Sequence, residues 1–289
     1  MTDIILAKTD LGVFVDGGDL GPDAIIKNVD IKDSLLYSVE KENITKSKSS
    51  LDLRKNIDSI NKFNEELYKK VLDIKSKGNI PVTIGGDHSI AIGSALGSIK
   101  KEEKLGIIWV DSHADFNNFD STLTGNIHGM PFSTITDNNR RDLSYFHDGN
   151  YYNPLNAVAI GTRDYYPVEL EEQLLRDSGV TVYTTLDLIN NNIESIVKEA
   201  FDIALKDTNG VHISYDLDTM DPDAAPGVSI PAPNGINAII ANKILDEILK
   251  YKDHIKSFDI VEFNPLNDKN DITLNIACEM IEKIISVLN

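Results

Sequence analysis

Short runs of β-branched and apolar residues alternate with helical patterns along most of this chain. Strand-like runs occur at 80–84, 105–110, 157–160, 180–183, 211–214 and 257–261. Between them, apolar residues recur at spacings of three and four, as from Ile60 to Ile74 and from Ile193 to Ala204. Strands that are apolar throughout are typical of a parallel sheet whose two faces are both covered. The alternation therefore predicts an α/β fold, a three-layer αβα sandwich around a mostly parallel sheet.

Local signals predict where helices begin and end. Thr185 and Asp271 stand where N-caps are expected, and Gly78 stands where a helix would stop. Loops are predicted in the polar, aperiodic segments Asp16–Asp30, Lys41–Ser50 and Asp137–Asn153. No internal repeat or shift in composition divides the 289 residues, so a single domain over residues 1–289 is predicted.

The charge of the chain excludes two classes of partner. There are 46 acidic and 28 basic residues, which gives a formal net charge of −18. Such a surface repels nucleic-acid phosphates and anionic membranes, so neither is an expected partner. No apolar run reaches the roughly 20 residues of a membrane span, and no basic leader begins the chain, which predicts a cytosolic protein. Cys278 is the only cysteine, so we expect a buried structural thiol and no internal disulfide.

Metal-ligand side chains follow three of the predicted strands. The segment 109–115 places Asp111, His113 and Asp115 at intervals of two, and an extended backbone would point all three the same way. A second strand leads into Asp216 and Asp218, again at an interval of two. A third leads into Gly-Gly-Asp-His, which ends at His88. We therefore expect six ligand-type side chains at one edge of the sheet.

Four of these six side chains are carboxylates, which would repel one another if they were packed together. Two divalent ions would supply +4 against −4 and remove the cost of burying unpaired charge. An oxygen-rich set with two histidines and no thiolate favours manganese, with iron, cobalt and zinc as alternatives. A single Asp-x-His-x-Asp is more often a capping or surface motif. Three such motifs after three strands favour a metal site instead.

The same residues resemble the ureohydrolases, the family of arginases and agmatinases. The resemblance extends over nearly the whole chain, from Gly21-Pro22-Asp23 to Val261-Glu262-Phe263-Asn264-Pro265, and includes Tyr215-Asp216-Leu217-Asp218. It implies one manganese ion held by His88, Asp111, Asp115 and Asp216. It implies a second held by Asp111, His113, Asp216 and Asp218, so that Asp111 and Asp216 bridge the pair.

The resemblance also implies the chemistry. A hydroxide bridging the two ions would attack the guanidino carbon, which neutral water attacks too slowly at pH 7. Asp115 would orient that hydroxide and accept its proton. His128, in a segment similar to the arginase substrate loop, would shuttle a proton to the leaving amine. Glu262 would bind the guanidinium by a charge-assisted pair.

Loop residues indicate which substrate to expect. Asn117, Thr124 and Asn126 match in spacing the arginase residues that hydrogen-bond the substrate carboxylate, which favours L-arginine, with L-ornithine and urea as products. Tyr166 stands where arginases usually place an aspartate for the α-amino group, and Asp164 or Glu169 would substitute for it. The resemblance implies a role in arginine metabolism and a homo-oligomer, either a trimer or a hexamer.

Two departures keep other functions open. Ile230 stands where arginases commonly carry a threonine, and residues 232–235 read Ala-Pro-Asn-Gly in place of the usual Val-x-Gly-Gly. The Val-Ser-x-Pro-Ala pattern of residues 228–232 is more similar to formiminoglutamases. Formiminoglutamase and agmatinase are therefore alternatives. A metal-binding scaffold without turnover is a third. The intact Gly-Gly-Asp-His motif and the 124–131 segment favour arginase.

Overall fold

A parallel sheet forms the centre of the molecule. The computed structural model describes residues 1–31, 34–49, 51–100, 103–136, 141–163 and 169–289. Within them, eight strands form one sheet in the order β2-β1-β3-β8-β7-β4-β5-β6, and every neighbouring pair is parallel. The strands are β1 Thr2–Lys8, β2 Leu35–Glu40, β3 Ile80–Gly85, β4 Gly106–Val110, β5 Ala157–Thr162, β6 Thr181–Thr184, β7 Val211–Asp216 and β8 Ile255–Val261.

Helices connect these strands and cover both faces of the sheet. Over the same residues they are α1 Gly21–Ile26, α2 Ile57–Ser76, α3 Ala91–Ser98, α4 Pro131–Thr136, α5 Glu169–Ser178, α6 Thr185–Asn190, α7 Ile193–Ala204, α8 Ala238–Leu249 and α9 Ile272–Leu288. In β4, Ile108 and Val110 belong to the apolar cluster that includes α7, α8 and α9. Ile107 and Trp109 belong to the cluster with α3 and α4 on the opposite face. The predicted three-layer α/β sandwich is thus confirmed.

The six predicted strands are all present, but the sequence analysis missed β1 and β2. β1 is buried because it pairs with β2 on one side and β3 on the other. β2 lies at the edge of the sheet, where most of its side chains remain exposed or half-exposed, so its apolar pattern is weak. The segment Asp16–Asp30 also contains α1 and is therefore not a loop throughout, as had been predicted.

The helix ends examined lie within one residue of their predicted positions. Thr184 caps α6 through a capping box with Asp187, so the predicted cap at Thr185 lies one position late. Asp271 occupies the N-cap position of α9 but makes no capping bond. Asp268 accepts the first free N–H groups of that helix instead. Gly78 follows α2 in a left-handed conformation, as a helix stop requires.

The strand order brings four segments together. β3, β8, β7 and β4 are consecutive neighbours, and all four run in the same direction. Their carboxyl ends therefore lie side by side, and the residues that follow them meet at one edge. This edge carries every metal-ligand motif that the sequence analysis singled out. The single domain and the homo-oligomer remain predictions.

Candidate metal centre

His88 faces three carboxylates at the carboxyl edge of the sheet. Its Nδ1 lies 3.1 Å from Asp111 Oδ2, 3.1 Å from Asp115 Oδ2 and 3.0 Å from Asp216 Oδ2. All four side chains are buried. Adjacent ligands of a six-coordinate ion with bonds of about 2.1 Å lie about 3 Å apart, so these distances suit one shared cation.

A second group of ligand atoms shares Asp111 with the first. His113 Nδ1 lies 3.0 Å from Asp218 Oδ2 and 3.6 Å from Asp111 Oδ1. Asp111, His113 and Asp218 each offer an atom within 4.8 Å of the others, as do His88, Asp111 and Asp216. The geometry thus contains two adjacent three-residue groups with one carboxylate in common.

The side chains converge for a different reason from the one predicted. The backbone is not extended through either motif, because β4 stops at Val110 and a 3-10 turn begins at Leu217. Asp111 Oδ1 accepts the His113 N–H at 2.7 Å, and Asp216 Oδ1 accepts the Asp218 N–H at 2.7 Å. Asp115 has a left-handed φ of 49°. Tight turns that the aspartates themselves stabilise bring the ligand atoms together.

Neighbouring side chains fix the His88 ring. Its Nε2 is hydrogen-bonded to Ser214 Oγ at 2.9 Å, and the ring stacks on Trp109 with centroids 4.1 Å apart. When Nε2 donates that bond, Nδ1 presents its lone pair to the three carboxylates. Nδ1 is buried and makes no hydrogen bond with any of the described residues. A metal-binding histidine commonly has this arrangement, with the second nitrogen held by a polar neighbour.

The electrostatics of the cluster call for added positive charge. Burial raises the pKa of Asp216 well above its ordinary value, and the charges of Asp218 and Asp111 raise it further. Burial and the charge of Asp111 raise the pKa of Asp115 to about 7. Burial would lower the pKa of His88, but its contacts with Asp111, Asp115 and Asp216 hold it well above the usual value. Divalent cations would replace protons as the neutralising charge, so the residues present fit a metal centre.

His128 and Glu262, which the sequence analysis assigned separate roles, form a pair. His128 Nδ1 lies 3.2 Å from Glu262 Oε1, and that oxygen also accepts the His88 N–H at 2.8 Å. Burial would lower the pKa of His128, but the Glu262 carboxylate raises it. The second carboxylate oxygen, Oε2, is buried and has no hydrogen-bond partner among the described residues. Glu262 therefore holds His128 with one oxygen and keeps the other available for a cation.

A cavity of about 200 Å³ opens above this cluster. Its wall includes five residues that were predicted to act on the substrate or its protons: Asp115, Asn117, Thr124, Asn126 and His128. Asn117 Oδ1 accepts the Ser121 hydroxyl at 2.9 Å, and Thr124 Oγ1 accepts the Asn126 N–H at 3.2 Å. These side chains therefore stabilise their own loop as well as line the cavity.

Three known relationships decide the family. The arginase family model matches residues 2–286. The arginase of Bacillus subtilis (strain 168) is 34% identical over 290 aligned positions, covering 98% of this chain and 96% of that protein. The chain belongs to the arginase family. The crystal structure of Bacillus subtilis arginase superposes with a TM-score of 0.82 at 30% identity, covering 99% of this chain and 98% of that one.

One solved structure at lower sequence identity shows a shared fold only. The structure of formimidoylglutamase from Bacillus subtilis has a TM-score of 0.81, with 17% identity and coverage of 99% of this chain and 86% of that one. Arginase-family membership makes the chain a ureohydrolase-type hydrolase that acts on guanidino or amidino groups. The metal-capable groups described above agree with the metal dependence of the arginase family.

Some predicted residues of this arginase-family chain cannot be placed. Asp164 and Tyr166 lie outside the described residues, and so does the side chain of Glu169, whose backbone begins α5. Ile230 does line the cavity. Within the described residues, no helix is both long enough and apolar enough to cross a membrane.

Three residues that line the cavity were not predicted from the sequence. Phe14, Leu123 and Glu171 line the same cavity. Glu171 accepts the N–H of Phe116, directly after Asp115, at 2.9 Å. No motif marks these three positions, because each reaches the cavity from a loop or helix whose packing the sequence does not encode locally.

Arg163 was also missed as an organising residue. Its guanidinium donates to the carbonyl oxygens of Asp218, Thr219 and Met220 and to two further carbonyls in the 232–233 loop, at 2.8 to 3.1 Å. It therefore ties the turn that carries Asp218 to the loop that follows Ile230. The signal available in the sequence was an arginine directly after β5, which ends at Thr162. The structure shows that this arginine is buried, which is rare for a charged residue without partners.

Proposed function

We propose that this chain is a dinuclear manganese arginase that hydrolyses L-arginine to L-ornithine and urea. The observation that carries the proposal is the pair of adjacent ligand groups with Asp111 in common, at the base of a cavity lined by polar loop residues. The 34% identity to a protein named arginase, over nearly the full length of both, supports arginine as the substrate.

The proposed ligands follow the two groups. His88, Asp111, Asp115 and Asp216 would hold one ion, and Asp111, His113, Asp216 and Asp218 would hold the other. The oxygen-rich donor set favours manganese. Two bound ions would lower the pKa of a water toward neutrality, which would make hydroxide available near neutral pH.

Protein side chains would handle the protons. Asp115 would orient the attacking water and accept its proton. His128 would donate a proton to the leaving amine as the bond between the guanidino carbon and Nε breaks. Glu262 raises the pKa of His128, which favours the protonated form.

Substrate recognition would divide between the two ends of arginine. The buried Oε2 of Glu262, which lacks a partner among the described residues, would pair with the guanidinium. Asn117, Thr124 and Asn126 would hydrogen-bond the α-carboxylate at the cavity wall. Asp164 or Glu169 would meet the α-ammonium.

A product assay separates this function from its alternatives. Purified protein with manganese is incubated in turn with arginine, agmatine and formiminoglutamate. The proposal expects urea and ornithine from arginine. Urea and putrescine from agmatine, or formamide and glutamate from formiminoglutamate, would instead identify an agmatinase or a formiminoglutamase. Two bound ions without turnover of any of the three would favour the scaffold.

The assembly and location of the protein form part of the same proposal. We expect a homo-oligomer, a trimer or hexamer, in the cytosol. Light scattering of the manganese-loaded protein would measure the assembly, and a monomeric mass would contradict it.

A further inference from the structure

A second cavity lies at the opposite edge of the sheet from the metal centre. It has a volume of about 510 Å³ and opens where α2 leads into β3 and where α8 leads into β8. We name it the amino-end cavity. Its charged lining residues are Lys75, Lys100, Lys252, Lys256, Glu103 and Asp253.

The amino-end cavity carries a local excess of positive charge. Four lysines line it together with the side chains of Glu103 and Asp253 and the terminal carboxylate of Asn289, which leaves a balance of +1 in a chain whose formal net charge is −18. Four of the 28 basic residues thus surround one cavity, while acidic residues outnumber basic ones in the chain as a whole.

Lys75 is the most deeply buried of the four lysines. Its side chain is only 6% exposed, and its Nζ lies 3.6 Å from Glu103 Oε2, beyond hydrogen-bond distance. That oxygen already accepts the backbone N–H of Lys100 at 3.1 Å. Burial lowers the pKa of Lys75, and Lys100 and Lys256 lower it further against the opposing effect of Glu103. A buried ammonium is therefore left with a weak partner and two cationic neighbours.

Two of the other three lysines do not serve as caps for the helix ends around them. Within the described residues, the ammonium groups of Lys100 and Lys252 have no carboxylate within 4.0 Å and donate to no backbone carbonyl, whereas that of Lys256 donates to the Asp253 carbonyl at 3.1 Å. Lysines that compensate helix C-termini commonly bond the last free carbonyls. Most of the donor capacity around the amino-end cavity therefore remains unused by the protein.

We propose that the amino-end cavity binds a phosphate-type dianion, either inorganic phosphate or the phosphoryl group of a small metabolite. A phosphate group carries about −1.5 to −2 charges at neutral pH, and the four lysine ammonium groups around the cavity attract such an anion. Lysine ammonium groups bind phosphate as point charges. The volume of about 510 Å³ exceeds that of phosphate alone and accommodates a small phosphorylated molecule. This site is independent of the metal centre and of the substrate assigned to it.

Calorimetric titration of the manganese-loaded protein, freed of unbound metal, tests the proposal. Inorganic phosphate and glycerol 3-phosphate are the two probes, at constant ionic strength. Saturable binding of one equivalent is expected from at least one probe. Tighter binding of glycerol 3-phosphate identifies an esterified phosphoryl group, and tighter binding of phosphate identifies the free ion. Binding of neither probe would overturn the proposal.

Lysine variants decide where the anion binds. Lys75→Met removes the buried ammonium, and the double variant Lys252→Gln and Lys256→Gln changes two less buried positions in case the first fails to fold. Each should weaken binding by at least about 10-fold, because charged hydrogen bonds are lost. The control, Lys62→Gln and Lys198→Gln, removes two charges from exposed ion pairs elsewhere and should leave the affinity unchanged.

The metal centre is the competing location for an anion. Phosphate bound there would inhibit urea release, and its affinity would be the same in the lysine variants and the control. That result would overturn the proposal. Loss of phosphate binding in a folded lysine variant that keeps its full hydrolytic activity would support it.

Discussion

The floor and the rim of the candidate active site are built in different ways. The floor consists of His88, Asp111, Asp216 and Asp218, all at most 3% exposed and all within three residues of the carboxyl ends of β3, β4 and β7. The rim consists of the 117–126 loop with Phe14 and Ile230, and it includes side chains as exposed as Leu123, at 66%. Backbone turns fix the floor, whereas the rim side chains bond mainly within their own loop. The proposed metal chemistry therefore depends on the sheet, whereas the proposed substrate contacts depend on loops.

The largest expected effects come from removing floor carboxylates. Asp111 belongs to both ligand groups and Asp218 to one. Asp111→Ala should therefore lose both ions, Asp218→Ala should lose one, and each should reduce urea release to background. Metal analysis and a urea assay measure the two outcomes.

A matched control keeps this test specific. Asp202→Ala removes an exposed carboxylate that pairs with Lys198 on α7 and should leave metal content and activity unchanged. Normal activity in either floor variant would contradict the proposed ligands and remove the distinction between floor and rim.

His128 lies at the junction of floor and rim, and its substitution should have the next largest effect on activity. His128→Asn removes the proton donor and should lower kcat by about 100-fold, while KM changes little. Imidazole in the buffer should restore part of the rate. Steady-state kinetics measure both parameters, and an unchanged kcat would mean that His128 does not transfer the proton.

Removing the metal ions should make the stability of the folded protein depend on pH, because the buried carboxylates and histidines around the ions would then titrate. The pKa of Asp115 is raised to about 7, and those of Asp216, His88 and His113 are also raised. Groups with raised pKa values favour the folded state at low pH, and this contribution is lost as pH rises through the folded pKa. The metal-free protein should therefore lose stability between about pH 5 and pH 8.

Thermal unfolding with and without a chelator measures this effect. Manganese should abolish the decline, because the ions hold the carboxylates in their charged form. Asp111 does not contribute in this range, since its histidine neighbours hold its pKa below the ordinary value. A metal-free melting temperature that stays flat over the range would show that the floor needs no cations.

The smallest expected effect lies on the rim. Ile230→Thr would add one hydrogen-bonding group beside the substrate and should raise kcat/KM for arginine by about 2- to 10-fold, the value of one hydrogen bond. Leu123→Thr makes the same kind of change at an exposed rim position and serves as the control. Equal effects in both variants would show that Ile230 has no specific contact with the substrate.

Periodicity gave most of the fold for a physical reason. A strand buried on both faces must be apolar throughout, so β3, β4, β5, β7 and β8 are visible from local sequence alone. β1 is buried as well, and its run from Ile4 to Ala7 is the same apolar signal, so this strand was predictable from the sequence although it was missed. α1 is only six residues long, which is too short for a helical period to show.

The sequence by itself determined that carboxylates and histidines follow parallel strands, and this largely determines the floor. Parallel strands end at the same edge, so residues that follow them meet whatever the loops do. Only the tertiary structure decided that His128 pairs with Glu262, 134 positions away, and that Lys75 shares a cavity with Lys252. Such contacts depend on how loops and helix ends pack across the whole molecule, and no local pattern in the chain records that packing.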